Sequence, residues 1–324
     1  MSLQHAKIAG YGSYLPEKIL GNTELAKTLS TTDDWIVSHT GIHSRHIIAD
    51  DQAPSDMAVI AAQRALKKAG IEAKDIGMIL LTTCSGDYYN LPATACIVQD
   101  RIGATNAAAF DLCAACSGFT YALHFAKLHV ISSQKPLLLI SVEALSRIAD
   151  WSDRGTCILF GDGAAAAVIT PSDTPSILGS YLGSDGSRAE LLRVDGGCKE
   201  IRHPDDPISY VKMSGHATFS FAVRTFEKVI NQLLQDHNLT AEDISYIIPH
   251  QANMRIIEAV GRRMELPEEK FFMNISHVAN TSSASIPLAL FELADSGKIK
   301  SGDYILTVAF GAGVTYGGNI IHWS

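Results

Sequence analysis

No run of apolar residues in this chain approaches the length that crosses a bilayer, and its first residues, MSLQHAKIAGYGSYLP, carry no apolar signal core. Both absences argue against a membrane protein and predict a soluble, cytosolic one. Positive charge is in short supply: 26 Lys and Arg stand against 34 Asp and Glu, for a net charge of −8 and a pI near 5.8. That balance argues against nucleic acid as the main partner, so an anionic partner needs a local basic patch. Cysteine is sparse, six in 324 residues with no paired framework, which fits a reducing compartment. Charged residues of either sign make up only 19%, against 47% hydrophobic residues, which excludes a disordered chain. A chain of this length and composition buries a large core, in two structural halves.

The stretch 107–128, AAAFDLCAACSGFTYALHFAKL, organises what is present. Residues 107–112 read as a short buried strand. The run breaks at Cys113-Ala114-Ala115-Cys116-Ser117-Gly118 and resumes at Phe119 as a helix that is apolar around most of its circumference. A cysteine at such a junction faces the unpaired N–H groups and positive dipole end of the helix, which favour a thiolate nucleophile. Cys113 falls at the strand end, where it is expected to point into packing. Cys116 falls at the turn into the helix and is the favoured nucleophile. Burial of both as small hydrophobes, and redox chemistry of the C-x-x-C pair, are the competing readings.

Along the chain, strands are expected at 7–14, 76–83, 136–142, 157–160 and 164–169, and helices at 22–29, 55–69 with a Gly70 stop, and 93–101. Thr31-Thr32-Asp33-Asp34-Trp35 reads as a capped helix start, and 171–207 as loops and hairpin pieces that include Asp195-Gly196-Gly197. The second half then repeats the first. Residues 71–80 (IEAKDIGMIL) parallel 239–248 (LTAEDISYII), each after an amphipathic helix, at 57–69 and 219–237. Each leads into a helix, a strand, a small-residue turn and a second buried helix. In the second copy these are 255–264, 271–275, the turn near Asn280, and 284–294. Strands at 137–142 and 304–309 with glycine-rich hairpins close the two units. Matching order at matching spacing predicts a duplicated α/β unit, with halves 1–170 and 171–324 around a pseudo-twofold axis and both central helices completely buried.

Three further features carry chemistry. His250 ends the strand of Ile247-Ile248-Pro249-His250, where α/β sheets place ligands, though a buried core histidine gives the same pattern. Asn280 lies in the turn before the second buried helix and supplies an uncharged N–H donor. The Gly311-Ala312-Gly313 turn offers a backbone N–H to an oxyanion. Arg255, Arg262 and Arg263 recur at spacings that share one side of a helix, either a solvated face or a basic landing patch.

Taken together, Asp33-Asp34-Trp35-Ile36-Val37, Cys116-Ser117-Gly118-Phe119, Asp153-Arg154-Gly155-Thr156, Phe160-Gly161-Asp162-Gly163-Ala164, Pro249-His250-Gln251-Ala252-Asn253-Met254-Arg255, Asn280-Thr281-Ser282 and Gly311-Ala312-Gly313 resemble a condensing enzyme of the thiolase superfamily. The resemblance is to the β-ketoacyl-[acyl-carrier-protein] synthase III family, over nearly the whole length. It implies a thiolase-like duplicated αβαβα layered α/β fold and a catalytic Cys116, His250 and Asn280. It also implies an oxyanion hole from the backbone N–H groups of Cys116 and Gly313. The expected activity is acyl transfer from acyl-CoA, acetyl by default, to Cys116, followed by decarboxylative condensation with malonyl-acyl-carrier protein in fatty-acid synthesis. A specialised-metabolism relative using a longer or aromatic acyl-CoA is the alternative. Trp35, Arg154, Gly215, Ala252 and Asn253 are expected to hold CoA. Gln251, Ala252, Asn253, Met254, Arg255, Arg262 and Arg263 are expected to contact the carrier. A homodimer is expected, with no cofactor, metal, nucleic acid or membrane. His39 and His216 stand where many relatives have Arg and Asn, and the loop 84–91 reads two residues longer than in the housekeeping enzymes.

Overall fold

The computed structural model of the chain describes residues 4–89, 91–195 and 209–324, and its strands fall into two larger sheets and two small ribbons. In chain order the first part contains β1 (His5–Tyr14), β2 (Lys18–Gly21), β3 (Ser44–Ile47), β4 (Met78–Thr82), β5 (Ala108–Leu112), β6 (Leu137–Ala144) and β7 (Asp162–Ser172). The second contains β8 (Ile177–Ser184), β9 (Leu192–Val194), β10 (Val211–Met213), β11 (Ile244–Pro249), β12 (Tyr304–Gly311) and β13 (Thr315–His322). The first sheet has the order β1-β7-β6-β4-β5 and the second β11-β12-β13-β8. In each, one strand pairs parallel to the central strand (β4 with β6, β11 with β12), and the central strand pairs antiparallel to the next (β6 with β7, β12 with β13). This is the expected duplication. β7, the last strand of the first sheet in the chain, runs to Ser172.

The helices are α1 (Asn22–Leu25), α2 (Asp33–Thr40), α3 (Pro54–Ala69), α4 (Thr94–Arg101), α5 (Gly118–Ser133), α6 (Arg154–Cys157), α7 (Gly215–Asp236), α8 (Met254–Met264), α9 (Ile275–Val278) and α10 (Ser285–Asp295). Local sequence explains their ends. Thr32 caps α2 by accepting the Trp35 N–H. α3 starts on Pro54, with the Asp56 carboxylate accepting the Ala53 N–H, and stops at Gly70 in the left-handed region at φ 65°. β6, LLLISVEA, is buried at every residue because the sheet is covered on both faces. α7 buries Ala222, Phe226, Val229 and Leu233, one helical stripe, against Leu306, Val308 and Ile320 of the second sheet. α5 and α10 share one core, where Phe119 and Leu123 join Leu290 and Phe291.

Several expectations need correction. α10 is buried along most of its length, but α5 is not buried all round: Phe125 and Leu128 on its later turns are 47% and 50% exposed. β5 is an edge strand, not a buried one; its neighbour β4 covers one side only, and Phe110 is 43% exposed. Cys113 therefore faces outward and is exposed, while Cys116 is buried, the reverse of the packing expected for Cys113. The strand expected at 157–160 is the helical turn α6 followed by a single bridge from Phe160 to Asn280. The strand expected at 271–275 is likewise one bridge, Phe271 to Ile247, because the chain turns into α9. The helix expected at 22–29 is regular only as α1. Gly196 and Gly197 of the expected Asp195 turn lie outside the described residues.

Candidate active site

Cys116 sits in a three-residue 3-10 turn, Ala115–Ser117, between β5 and α5. Ala115 holds a left-handed φ of 46°, a strained setting for a residue with a Cβ, and this sharp turn presents the cysteine. The sulfur lies inside the molecule, with the residue only 8% exposed. Burial pushes its thiol up to about 12, opposed by a hydrogen bond from the Ser282 side chain and by its own backbone N–H, and reinforced by the charge of Glu143. The thiolate expected from the helix N-terminus is thus not the resting form: removal from water outweighs the turn's N–H groups. Gly311 at the end of β12 packs flush on this turn. A Cβ there would stand 2.7 Å from the Cys116 N and 3.0 Å from the Ser117 N, so only glycine leaves the Cys116 N–H accessible beside its sulfur. Gly313 follows in the same turn, at φ 125°.

His250 directly follows β11, and its N–H donates to the Val308 carbonyl at 2.7 Å. Its ring meets Phe310 edge-on at 5.9 Å between centroids, and Phe310 precedes the Gly311 that rests on Cys116. The histidine is 1% exposed, and burial holds its pKa down at about 3, so the ring is neutral at physiological pH. Its Nδ1 has no hydrogen-bond partner among the described residues.

Asn280 is anchored through its backbone: its N–H donates to the Leu159 carbonyl at 2.9 Å and its carbonyl accepts from the Gly161 N–H at 3.0 Å. Its Oδ1 accepts the Ser282 N–H at 2.9 Å, which orients the carboxamide with Nδ2 as the end left to donate. Ser282 thus orients Asn280 through its backbone N–H, and its hydroxyl lies 3.7 Å from the Cys84 sulfur.

Two charged residues that the sequence reading passed over hold this place together. Glu143, fully buried at the end of β6, accepts from the Ser85 and Ser283 hydroxyls, from the Cys84 N–H at 3.1 Å and from the Cys84 thiol at 3.3 Å. It ties the start of the 84–91 loop to the turn after Asn280 without any cation. Arg45, also fully buried, donates to Asn22 Oδ1 and to the carbonyls of Leu20 and Ile158; burial lowers its pKa to about 10, which leaves it cationic. It braces the segment that bridges to Asn280. For Glu143 the signal was present, one charge inside the apolar strand LLLISVEA; Arg45, in the polar strand SRHI, gave none.

The outer residues form a second group. Trp35 stacks on His39, with centroids 4.1 Å apart and planes 18° apart, and the Arg154 guanidinium lies 4.5 Å over the Trp35 ring. Asn253 caps α8 through its Oδ1 on the Arg255 N–H, and its Nδ2 donates to the His39 carbonyl at 3.0 Å. Arg255 Nε donates to the Ser38 carbonyl. α2 and α8 are thereby pinned to one another. Gly215 and His216 are exposed at the start of α7, and Ala252 and Met254 are half-buried. Arg263 pairs with Glu227, whereas the Arg262 side chain is 71% exposed and 3.8 Å from Glu258. Gln251 contradicts its expected role as a carrier contact. It is 0% exposed and its side chain is bonded to Asn274 and Ile275, out of reach of any macromolecule.

Among the described residues no group of His, Cys, Asp and Glu is arranged to hold a metal ion, and no helix is long and apolar enough to cross a membrane. A duplicated α/β fold with a cysteine at one helix junction and a strand-end histidine and turn asparagine from the sister half defines the class of thiolase-like condensing enzymes. Comparison with known proteins narrows that class. Family models described as 3-Oxoacyl-[acyl-carrier-protein (ACP)] synthase III and its C terminal region match residues 110–186 and 234–323. The chain is 43% identical to the β-ketoacyl-[acyl-carrier-protein] synthase III of Clostridium tetani, covering 100% of both chains. Its fold superposes on the crystal structure of 3-oxoacyl-[acyl-carrier-protein] synthase III from Aquifex aeolicus with a TM-score of 0.92, at 41% identity over 98% of this chain and 100% of that one. The priming β-ketosynthase of the R1128 polyketide pathway gives a TM-score of 0.94 at 34% identity, over 99% and 97% of the chains. The chain belongs to the β-ketoacyl-[acyl-carrier-protein] synthase III family.

Proposed function

We propose that this protein catalyses the condensation that initiates fatty-acid synthesis, with Cys116 as the acyl carrier and His250 and Asn280 as the donors that stabilise the carbanion. The observation that supports the reading is that β12 of the second half ends on the Cys116 turn: Phe310 meets the His250 ring, and the next residue, Gly311, packs on the Cys116 backbone. In the first half-reaction the Cys116 sulfur attacks the thioester carbonyl of acyl-CoA. The Cys116 Sγ–acyl bond forms, the acyl–sulfur bond of CoA breaks, and the thiol proton ends on CoA. The N–H groups of Cys116 and Gly313 hold the passing oxyanion.

In the second half-reaction the malonyl carboxylate leaves as CO₂ and its bonding pair stays on carbon as a thioester enolate. His250 and Asn280 donate to the enolate oxygen. The carbon attacks the acyl-cysteine, the carbon–sulfur bond to Cys116 breaks, and the sulfur takes up one proton from solvent. A neutral imidazole and a carboxamide suit this charge, because a fixed buried cation would also stabilise the malonyl carboxylate of the ground state and so oppose its loss as CO₂. Such chemistry asks for no cofactor, since the thioester itself activates the acyl group.

Trp35 and Arg154 are our candidates for the CoA nucleotide, with Gly215, Ala252 and Asn253 along its path. Because Arg154 lies against Trp35, a base entering between them displaces the guanidinium. Arg262, with Arg255, Arg263 and Met254 on the same helix, is the landing surface for the acidic carrier. The exposed edge of β5 with Phe110 supports a homodimer, and free thiols support a cytosolic setting. We read residues 1–170 and 171–324 as the two functional halves. We take acetyl-CoA as the primer by default.

The test is intact-mass analysis after incubation with a panel of acyl-CoAs, followed by peptide mapping. One acyl group on Cys116, with acetyl among the efficient donors and Cys113→Ser without effect, is the expected result. No adduct from any donor, or an adduct on Cys113, would overturn the reading.

A further inference from the structure

Gln251 follows His250 in the chain, yet no step above uses it. Its burial is complete, and every polar atom of its side chain is engaged. Oε1 accepts two backbone N–H groups, from Asn274 at 2.8 Å and Ile275 at 2.7 Å. Nε2 donates to Asn274 Oδ1 at 3.0 Å. The Gln251 backbone N–H donates to the Ser285 hydroxyl at 2.9 Å. These partners bracket Asn280: Asn274 and Ile275 begin the α9 turn that leads into it, and Ser285 begins the α10 helix that leaves it. Asn274 is fixed in turn, its Nδ2 donating to Glu292 Oε2 on α10 at 2.8 Å.

Resting on the reading of His250 and Asn280 given above, we propose that Gln251 is a positioning residue that sets the separation between the imidazole and the carboxamide. His250 sits on the end of one strand and Asn280 on an irregular turn that one bridge to Phe160 holds at Asn280 itself, while the approach to it through α9 has no sheet ladder. A single buried carboxamide supplies that ladder. It satisfies two N–H groups at the start of α9 that the helix cannot satisfy itself, and it does so from the residue bonded to His250. The chemistry demands glutamine in particular. Glutamate keeps the two acceptor contacts but meets Asn274 Oδ1 with a second acceptor, and leucine keeps none of them.

The two half-reactions give the test. Cys116 lies on the other half of the molecule, on a turn Gln251 does not touch, so acyl transfer to Cys116 should be nearly indifferent to it. Enolate formation needs both donors at their places. In Gln251→Leu, formation of the Cys116 acyl adduct should fall by less than about 3-fold while decarboxylative condensation falls about 30-fold, a loss typical of small misplacement of catalytic groups. Gln251→Glu, which preserves size and two contacts, should show the same split at about 5-fold in condensation. Equal losses in both half-reactions, or no loss in either, would overturn the proposal. A His250→Ala control separates this from the reading beneath it. If that variant still condenses at the wild-type rate, the donor assignment has failed and the role of Gln251 falls with it.

Discussion

In the first half of the chain the turn Ala115–Ser117 leads into α5; in the second, Ser282–Ala284 leads into α10. Each turn opens on a non-glycine residue in the left-handed region, Ala115 at φ 46° and Ser282 at φ 48°. Each then presents a side chain two residues before its helix, Cys116 in one and Ser283 in the other. Their fates differ. The Ser283 hydroxyl donates to Glu143 Oε1 at 2.6 Å and is consumed in joining the halves. Cys116 instead lies under Gly311, whose neighbour Phe310 meets the His250 ring. The sheets diverge as well: the first has a fifth, outward-facing strand, where the second has only the Phe271–Ile247 bridge. Duplication thus supplied two equivalent corners, and the neighbours of each decided which became reactive and which became a tie.

The comparison breaks most visibly with paired substitutions at the equivalent corners. Cys116→Ser should lose condensation by at least about 10³-fold, because a buried hydroxyl is a far weaker nucleophile than sulfur. Ser283→Ala should leave the Cys116 adduct forming to completion and instead destabilise the fold by about 1–3 kcal/mol, the cost of a buried acceptor left short of a donor. Intact mass and urea unfolding measure the two sides of that contrast.

A smaller effect is expected where the second half touches the first. Gly311→Ala places a Cβ 2.7 Å from the Cys116 N and should slow acyl transfer about 10²-fold, by blocking or shifting an oxyanion donor. Acylation rates by rapid quench check this.

The pH dependence of stability sharpens the second half alone. His250 has its pKa held at about 3 in the fold against an ordinary 6.5, so the unfolded chain binds more protons between those values. The stability this neutral ring confers is complete above 6.5 and drains as pH falls toward 3. Urea midpoints at pH 7 and pH 5 should differ more for the wild type than for His250→Gln. The smallest change lies at the surface: Arg262→Glu should raise the KM for the carrier about 3-fold at low salt, with the effect fading as salt rises.

The duplicated order of elements was legible because buried strands and helices announce themselves by apolar runs and by glycine and proline punctuation, as at α3 with Pro54 and Gly70. The positions of Cys116, His250 and Asn280 at element ends were legible for the same reason. Exposure was not. β5 reads as apolar, yet lies at a sheet edge, and edge position depends on which strand pairs with which. This is also why Cys113 turned out exposed. Gln251 sits in a polar run that reads as surface, and only the distant Asn274 and Ile275 explain why it is inside. The thiol of Cys116 reads as activated from its local turn, whereas the surrounding fold removes it from water and raises its pKa.

The most direct measurement of the division between halves is a His250→Ala/Asn280→Ala double variant followed by mass spectrometry and product analysis in the same reaction. One acyl group per chain on Cys116, with no 3-oxoacyl product after malonyl-carrier is added, is the predicted result. Product formation at a rate near that of the wild type would contradict it.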